Sequence, residues 1–310
     1  MPGATPYITA AMLLSRPAGI SWNIVPTLTA NTQEQAAQVQ QACWTATSTV
    51  DAYCRQPLRA TVNTDQGRGP GMPRVTVDPN TCQGSLIARR TPILSVLAVQ
   101  VSPSSAFPQQ WASVPAGQFR ARRPMIITEG PAPATVPDTG NAIDIAPGYI
   151  DWCQGRGGYD VLWTTISGWP HAGLAGDAEA GDTTLNVDDV TGWTGVSGTV
   201  YDAPYGEPVE VTGVSATSPP VLPGVAGTCQ AGPGTVTLSA PLQWAHKAGS
   251  VISAMPPVAL RAAALAATVE ALETIDAIAT QSLSGQMAGG TGVLAEAYEL
   301  ILDQGFRRIA

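Results

Sequence analysis

Between Pro256 and Gln281 the chain reads PPVALRAAALAATVEALETIDAIATQ, and this stretch constrains the fold more than any other. Its composition is that of a helix. Pro257 suits a first helical position, and no further proline occurs as far as Ala310. Val258, Leu265, Val269, Leu272, Ile275 and Ile278 recur at steps of seven, four and three, so they share one stripe. Glu270, Glu273 and Asp276 lie towards another side, and alanine fills most of the rest. Alanine favours helix and lets neighbouring backbones come close. About 25 residues at 1.5 Å each make a rod of roughly 37 Å, long for a globular helix. The apolar stripe is expected to pack on a helix of its own chain, and Ala263, Ala267 and Ala271 to meet a neighbouring subunit.

The remainder of the chain changes period. Thr9 can cap a short helix over Ala10 to Ser15, ended by Pro17 and Gly19. Asn31 and Glu34 have the spacing of a capping box that opens a helix to about Arg55. Its buried stripe would be Val39, Cys43, Ala46, Val50 and Tyr53, with Trp44 beside it, turned to a neighbouring element or subunit.

From Leu58 to Trp169, short β-branched runs alternate with turn residues. Strands are predicted at 74–77, 85–88, 96–101, 118–121, 125–128, 142–145 and 159–166. Residues 171 to 255 read as an inserted β unit, a small sandwich or barrel, with Ser218 to Pro233 as a long exposed loop. After a glycine-rich linker, Val293 to Asp303 forms a last short helix. Four segments follow: 1–60 helical, 61–170 β-rich, 171–255 inserted β domain and 256–310 helical. The expected class is α+β, with the terminal helices forming a bundle around a large β-rich middle.

Chemistry is sparse. The only histidines are His171 and His246, and neither stands in a nucleophile, zinc or phosphate-loop motif. His246 is expected to bond a backbone carbonyl and fix its turn, and His171 to serve as a hinge contact. Asp182, Asp188 and Asp189 with Asn186 match no calcium loop and read as solvated turn acids. Five scattered cysteines without a C-x-x-C pair read as unpaired thiols. No catalytic residue, cofactor or metal is expected. The formal charge of −8, with Lys247 the only lysine, leaves no basic face for nucleic acid. Met1 to Ile20 lacks the basic start of an export signal, and prolines break the longest uncharged run, so no membrane segment is expected.

The ends of the chain resemble a known family. Tyr7-Ile8-Thr9-Ala10 with Ile20-Ser21-Trp22, a helix running into Tyr53-Cys54-Arg55-Gln56-Pro57-Leu58, the entry Thr91-Pro92-Ile93-Leu94-Ser95-Val96 and the Pro256-Pro257 opening resemble, in that order, the head-to-tail adaptor (connector) proteins of tailed bacteriophages. The D-T-T-L-N-V, E-P-V-E-V and A-H-K-A-G turns of 171–255 look like a β module inserted in phage structural proteins. The resemblance implies a non-enzymatic virion protein of the head-tail neck, assembled in the host cytoplasm. It implies a homo-oligomeric ring, commonly of twelve copies, between the portal protein and the next neck protein, with DNA passing through the lumen. The portal would be met by Tyr298, Phe306, Arg307, Arg308 and Ile309. A different class of function is a carbohydrate-binding or cell-surface β protein of the virion, read out by Trp152, Trp163, Trp169, Trp193 and Trp244.

Overall fold

The computed structural model describes residues 5–15, 32–68, 75–77, 84–103, 106, 108–121, 142–146, 159–202 and 206–273. The expected bundle of terminal helices is overturned. Among the described residues fourteen strands stand against three α-helices, and every paired sheet is antiparallel. Glycine- and proline-punctuated strands, not the alanine-rich ends, supply most of the regular structure. Two compact units divide the chain differently from the four segments read in sequence. One comprises 1–58, 170–215 and 233–310, and the other 59–169 with 216–232.

The first unit joins three helices to a barrel. Helix α1 spans Ala10–Ser15, capped by Thr9, whose Oγ1 accepts the Met12 amide at 3.2 Å. Helix α2 spans Thr32–Cys54 and buries Val39, Cys43, Ala46 and Val50 as its spacing predicts, while Tyr53 is only half-buried. Asn31 lies outside the described residues.

The end of α2 is a two-bond cap. The Gln56 amide donates to Asp51 O at 3.1 Å and the Arg55 amide to Ala52 O at 3.2 Å, with Arg55 at φ +56°. A side chain in that left-handed conformation costs about 1 kcal/mol, which glycine avoids. Arg55→Gly is therefore expected to raise the unfolding free energy by up to about 1 kcal/mol, read from the urea midpoint at unchanged m-value. An unchanged or lowered midpoint would show that the Arg55 side chain offsets its own strain.

Helix α3 spans Pro257–Glu273 and packs on α2, as expected, but with its faces exchanged. Ala259, Leu260, Ala262, Ala263, Ala266 and Ala267 are the buried residues, whereas Val258 and Leu265 are half-buried. Small side chains let the two backbones approach, so alanine faces the interior and the longer side chains take the rim. Ala263 and Ala267 are fully buried by their own chain, leaving no surface for a neighbouring subunit. The predicted helix beyond Glu273, the Ala271 side chain and all of 274–310 lie outside the described residues.

The barrel is built from β9 (His171–Gly173), β10 (Thr184–Val187), β11 (Val196–Tyr201), β12 (Gly206–Ala216), β13 (Gly234–Leu238) and β14 (Val251–Ser253). Their order is β10-β13-β12-β11-β14-β9. The Ala175 amide donates to Asn186 O at 2.9 Å and the Asp188 amide to Gly173 O at 3.0 Å, so the first and last strands meet and the sheet closes. Leu185, Val187, Trp193, Val200, Val211, Val236 and Ile252 fill it. The alternation in β10 and β13, one residue buried and the next half-buried or exposed, is what a closed wall with solvent on one side requires.

The second unit is two four-stranded sheets, β1-β8-β4-β5 and β2-β3-β7-β6. Their strands are β1 (Thr61–Arg68), β2 (Val75–Val77), β3 (Gly84–Ile87), β4 (Ile93–Pro103), β5 (Ala112–Ser113), β6 (Phe119–Ala121), β7 (Ala142–Ile145) and β8 (Tyr159–Ser167). Leu86, Ile143 and Ile145 from one sheet share a core with Val99, Val101, Val161 and Trp163 from the other. The central strand β8 is buried along nearly all its length because both its faces are covered. On the second face, Leu222, Cys229 and Ala231 of 216–232 pack with Ala60 and Ile166. The segment expected to be an exposed loop is one, without helix or strand and with Val221 80% exposed, and it is anchored as a strap through Leu222, Cys229 and Ala231. At Gly224, φ +75°, a Cβ would lie 2.4 Å from the Gln100 side chain, so the strap runs close to β4 only because the residue has none.

Candidate functional site

Within the first unit a cleft of about 530 Å³ opens between the start of the chain, α2 and one end of the barrel. Trp44 and Gln40 line it from α2, Thr5 from the N-terminal segment, Tyr201 from the end of β11, and Asp188, Asp202 and Lys247 from barrel turns. Thr5, Gln40, Asp188 and Lys247 are each held by hydrogen bonds of their own side chains.

Asp188 follows β10. Its Oδ2 accepts the Thr5 hydroxyl at 2.6 Å and the Thr5 amide at 3.1 Å, and its Oδ1 accepts the Gly173 amide at 2.7 Å. Burial pushes its carboxyl above the usual range in spite of those donors, and the neighbouring Asp189 adds to the rise. Gly173 makes the clasp possible, since a Cβ there would lie 2.2 Å from Thr5 Oγ1.

The turn between β13 and β14 is fixed from below by Glu207 of β12, which is 3% exposed. Its carboxylate accepts the Gln243 amide at 2.6 Å, the Trp244 amide at 3.2 Å and His246 Nε2 at 3.0 Å. Burial alone would raise its pKa, but these three donors outweigh it and hold the group below the ordinary glutamate value. An acceptor-only carboxylate at Nε2 means that Nε2 carries the proton. Nδ1 of the buried ring then makes no hydrogen bond and faces Asp202 Oδ2 across 3.8 Å. The bond expected from His246 to a backbone carbonyl is instead a bond to a side-chain carboxylate. On the rim, Lys247 Nζ donates to Asp177 Oδ2 at 2.7 Å, which lowers the pKa of Asp177 and raises that of Lys247.

The N-terminal segment stitches barrel to helix. Pro6 O accepts His171 Nε2 at 3.0 Å, so that nitrogen bears hydrogen and Nδ1 pairs with Ser253 Oγ at 3.0 Å. The Tyr7 ring meets the His171 ring edge-on at 5.5 Å. Tyr7 is fully buried, takes the Leu58 amide on its hydroxyl at 2.8 Å and donates that hydroxyl to Asp51. His171, expected as a hinge contact, is a fixed crosslink inside one unit. Tyr7→Phe removes both phenol bonds, yet Leu58 N–H keeps Asp51 at 3.1 Å. The expected loss is about 1 kcal/mol of unfolding free energy, measured by denaturant titration, and no loss would show that Asp51 alone holds the joint.

Trp44 is the one expected contact residue that enters the cleft. Tyr298, Phe306, Arg307, Arg308 and Ile309 lie outside the described residues. The turn acids are hydrogen-bonded within the protein and not merely solvated: Asp182 accepts the Glu179 amide at 2.8 Å and Asp189 the Thr191 amide at 2.9 Å. Among the described residues no group of three or more His, Cys, Asp or Glu is placed to hold a metal, and no helix is long and apolar enough to cross a membrane. Cys43, Cys54 and Cys229 are buried, and burial pushes Cys43 up to about 12. Trp163, Trp169 and Trp193 are buried, so of the tryptophans expected to read a carbohydrate only Trp244, 52% exposed, is displayed among the described residues.

Sequence reasoning missed Asp202, Glu207 and Tyr201 as members of a site. Their one signal was the position of the sole lysine beside one of two histidines, in a turn whose length gave no hint of the carboxylates beneath it. The chain matches no family model, no curated protein and no solved structure.

Proposed function

We propose that the chain is a structural adaptor of a tailed-phage neck, a homo-oligomeric ring that joins the portal to the next neck protein and lets DNA pass. The observation that carries this reading is the convergence of the residues on which the resemblance rests. Tyr7 and the Arg55-Gln56-Pro57-Leu58 turn, 51 positions apart at Tyr7 and Leu58, close on each other through the phenol, Asp51 and the Leu58 amide. A motif shared for its structure needs such a joint. The charge of −8 supports the same reading, because an acidic ring repels the phosphate backbone and does not grip it.

In this reading the C-terminal residues Tyr298, Phe306, Arg307, Arg308 and Ile309 dock onto the portal. The ring contacts lie away from Ala263 and Ala267, which the chain itself buries. The test is the native mass of the chain mixed with the portal ring of the same phage. A complex carrying about a dozen copies is expected. A chain that stays monomeric with portal present overturns the reading, and a truncation at Gly290 that still binds portal removes the docking assignment.

A further inference from the structure

We infer that the proline-rich strap of one copy docks in the Trp44 cleft of the next, joining copies of this chain head to tail. The inference deepens the homo-oligomer part of the adaptor reading and rests on that part alone. Charge decides which surfaces of two copies can meet. The first unit holds 16 acidic and six basic residues, a formal −10, and the second holds seven acidic and nine basic, a formal +2. Like units of two copies repel, whereas the second unit of one copy attracts the first unit of another. A contact between unlike surfaces is heterologous, and repeating it closes a ring or grows a filament.

On the second unit the strap supplies the anchor. Between Glu210 and Lys247 the chain has no Asp, Glu, Lys or Arg, and the strap falls within that run. Pro219, Pro220 and Pro223 fix their own φ and keep the residue before each of them extended. Pro220 O accepts the Cys229 amide at 3.1 Å, and Leu222 O accepts the Val225 amide at 3.2 Å across a turn with Gly224 at φ +75°. Leu222 packs into the core beneath. Val221, 80% exposed, is thereby held out to solvent on a segment with little freedom left to lose.

The first unit supplies the receptor. Its cleft, about 530 Å³, is lined by the half-buried rings of Trp44 and Tyr201, with Pro6 and Ala248 beside them. Extended proline segments dock in aromatic-lined grooves, because their backbone is ordered in advance and their rings pack on flat aromatic faces. Tryptophan and tyrosine are also the side chains on which binding energy concentrates at interfaces. The strap and the cleft therefore match in chemistry, and the charges of the units that carry them are opposite.

The experiment is sedimentation velocity of the whole chain, without portal, over a series of concentrations. Self-association beyond a dimer is expected, and Val221→Asp and Trp44→Ala should each weaken it at least about ten-fold. Mixing the two variants restores one contact, between the strap of the Trp44→Ala chain and the cleft of the Val221→Asp chain, and should stop at a dimer. Should either variant fail to fold, the unaltered chain decides: an excess of the free peptide acetyl-SPPVLPG-amide should dissociate the assembly, and the same peptide carrying Val221→Asp should not. A chain that stays monomeric, an assembly that a folded variant leaves undiminished, a variant mixture without a dimer, or an assembly that the peptide leaves intact overturns the inference. None of these results alters the mass of the portal complex of the unaltered chain, which tests the adaptor reading separately.

Discussion

Glu207→Ala is expected to destabilise the first unit by about 3 kcal/mol, the largest single-residue effect argued for this chain. The reason is the number of donors that lose their acceptor together. The Gln243 and Trp244 amides and His246 Nε2 converge on one carboxylate that is 3% exposed. The two amides belong to an exposed turn and can be rehydrated, which reduces their share. The imidazole cannot, because the ring is buried and its other nitrogen already lacks a hydrogen bond. Thermal unfolding should show a Tm several degrees lower, with Trp244 fluorescence reporting a loosened turn. A loss under about 1 kcal/mol would mean that the Ala178–His246 backbone pair and the bonds of Lys247 and Ala248 to Asp177 hold the turn without Glu207.

The same carboxylate sets a pH dependence whose sign is fixed. Its pKa in the folded chain is lowered, so its contribution is fully present above the unfolded value of about 4.5 and disappears as pH falls through the folded value. The stability gap between the parent chain and Glu207→Gln should therefore be widest near neutrality and narrow in acid below 4.5. A gap that widened on acidification would contradict the assignment of Glu207 as a charged acceptor.

How much of this was legible in advance depends on whether a neighbour in sequence or a neighbour in space sets the structure. Thr9 and the α1 helix it caps were legible because the cap and the amide it serves are three residues apart. Val39, Cys43, Ala46 and Val50 were legible because a helix repeats its buried face. β1 was not: Thr-Val-Asn-Thr-Asp-Gln-Gly-Arg has no apolar alternation, and it is a strand because β8 pairs with it along eight residues. α3 misled because its apolar stripe was assumed to face inward. Helix packing chose the thin alanine face, where the backbones can approach, and that choice depends on α2. The cleft was the least legible part, being assembled from Thr5, Trp44, Asp188, Asp202 and Lys247, which no local spacing connects.

Gly173→Ala carries the second large effect, and it tests how the cleft is built as well as how stable it is. The new Cβ would stand 2.2 Å from Thr5 Oγ1 and 3.2 Å from Thr5 Cβ, closer than any ordinary contact. Thr5 cannot simply rotate away, because its hydroxyl and amide both bind Asp188 Oδ2, while Asp188 Oδ1 is fixed to the Gly173 amide itself. Either the N-terminal segment lifts, breaking two hydrogen bonds to a partly buried carboxylate, or β9 shifts within the closed barrel. A loss of about 2 kcal/mol is expected by either route. The two routes separate by hydrogen exchange. Lifting the segment exposes the Thr5 and Tyr7 amides and leaves the barrel protected, since Pro6 O and Tyr7 N lose their partners His171 and Thr47 next. Shifting β9 instead raises exchange at Ala175 and Asp188, whose amides hold the barrel closed. The first outcome is expected, because a chain end yields more cheaply than a strand bonded on both sides. Thr5→Ser should leave the clasp bonds in place, while Thr5→Gly combined with Gly173→Ala should recover part of the lost stability, since it removes the clash and keeps the amide bond to Asp188 but not the hydroxyl bond. Failure of that double variant to recover would locate the strain in β9.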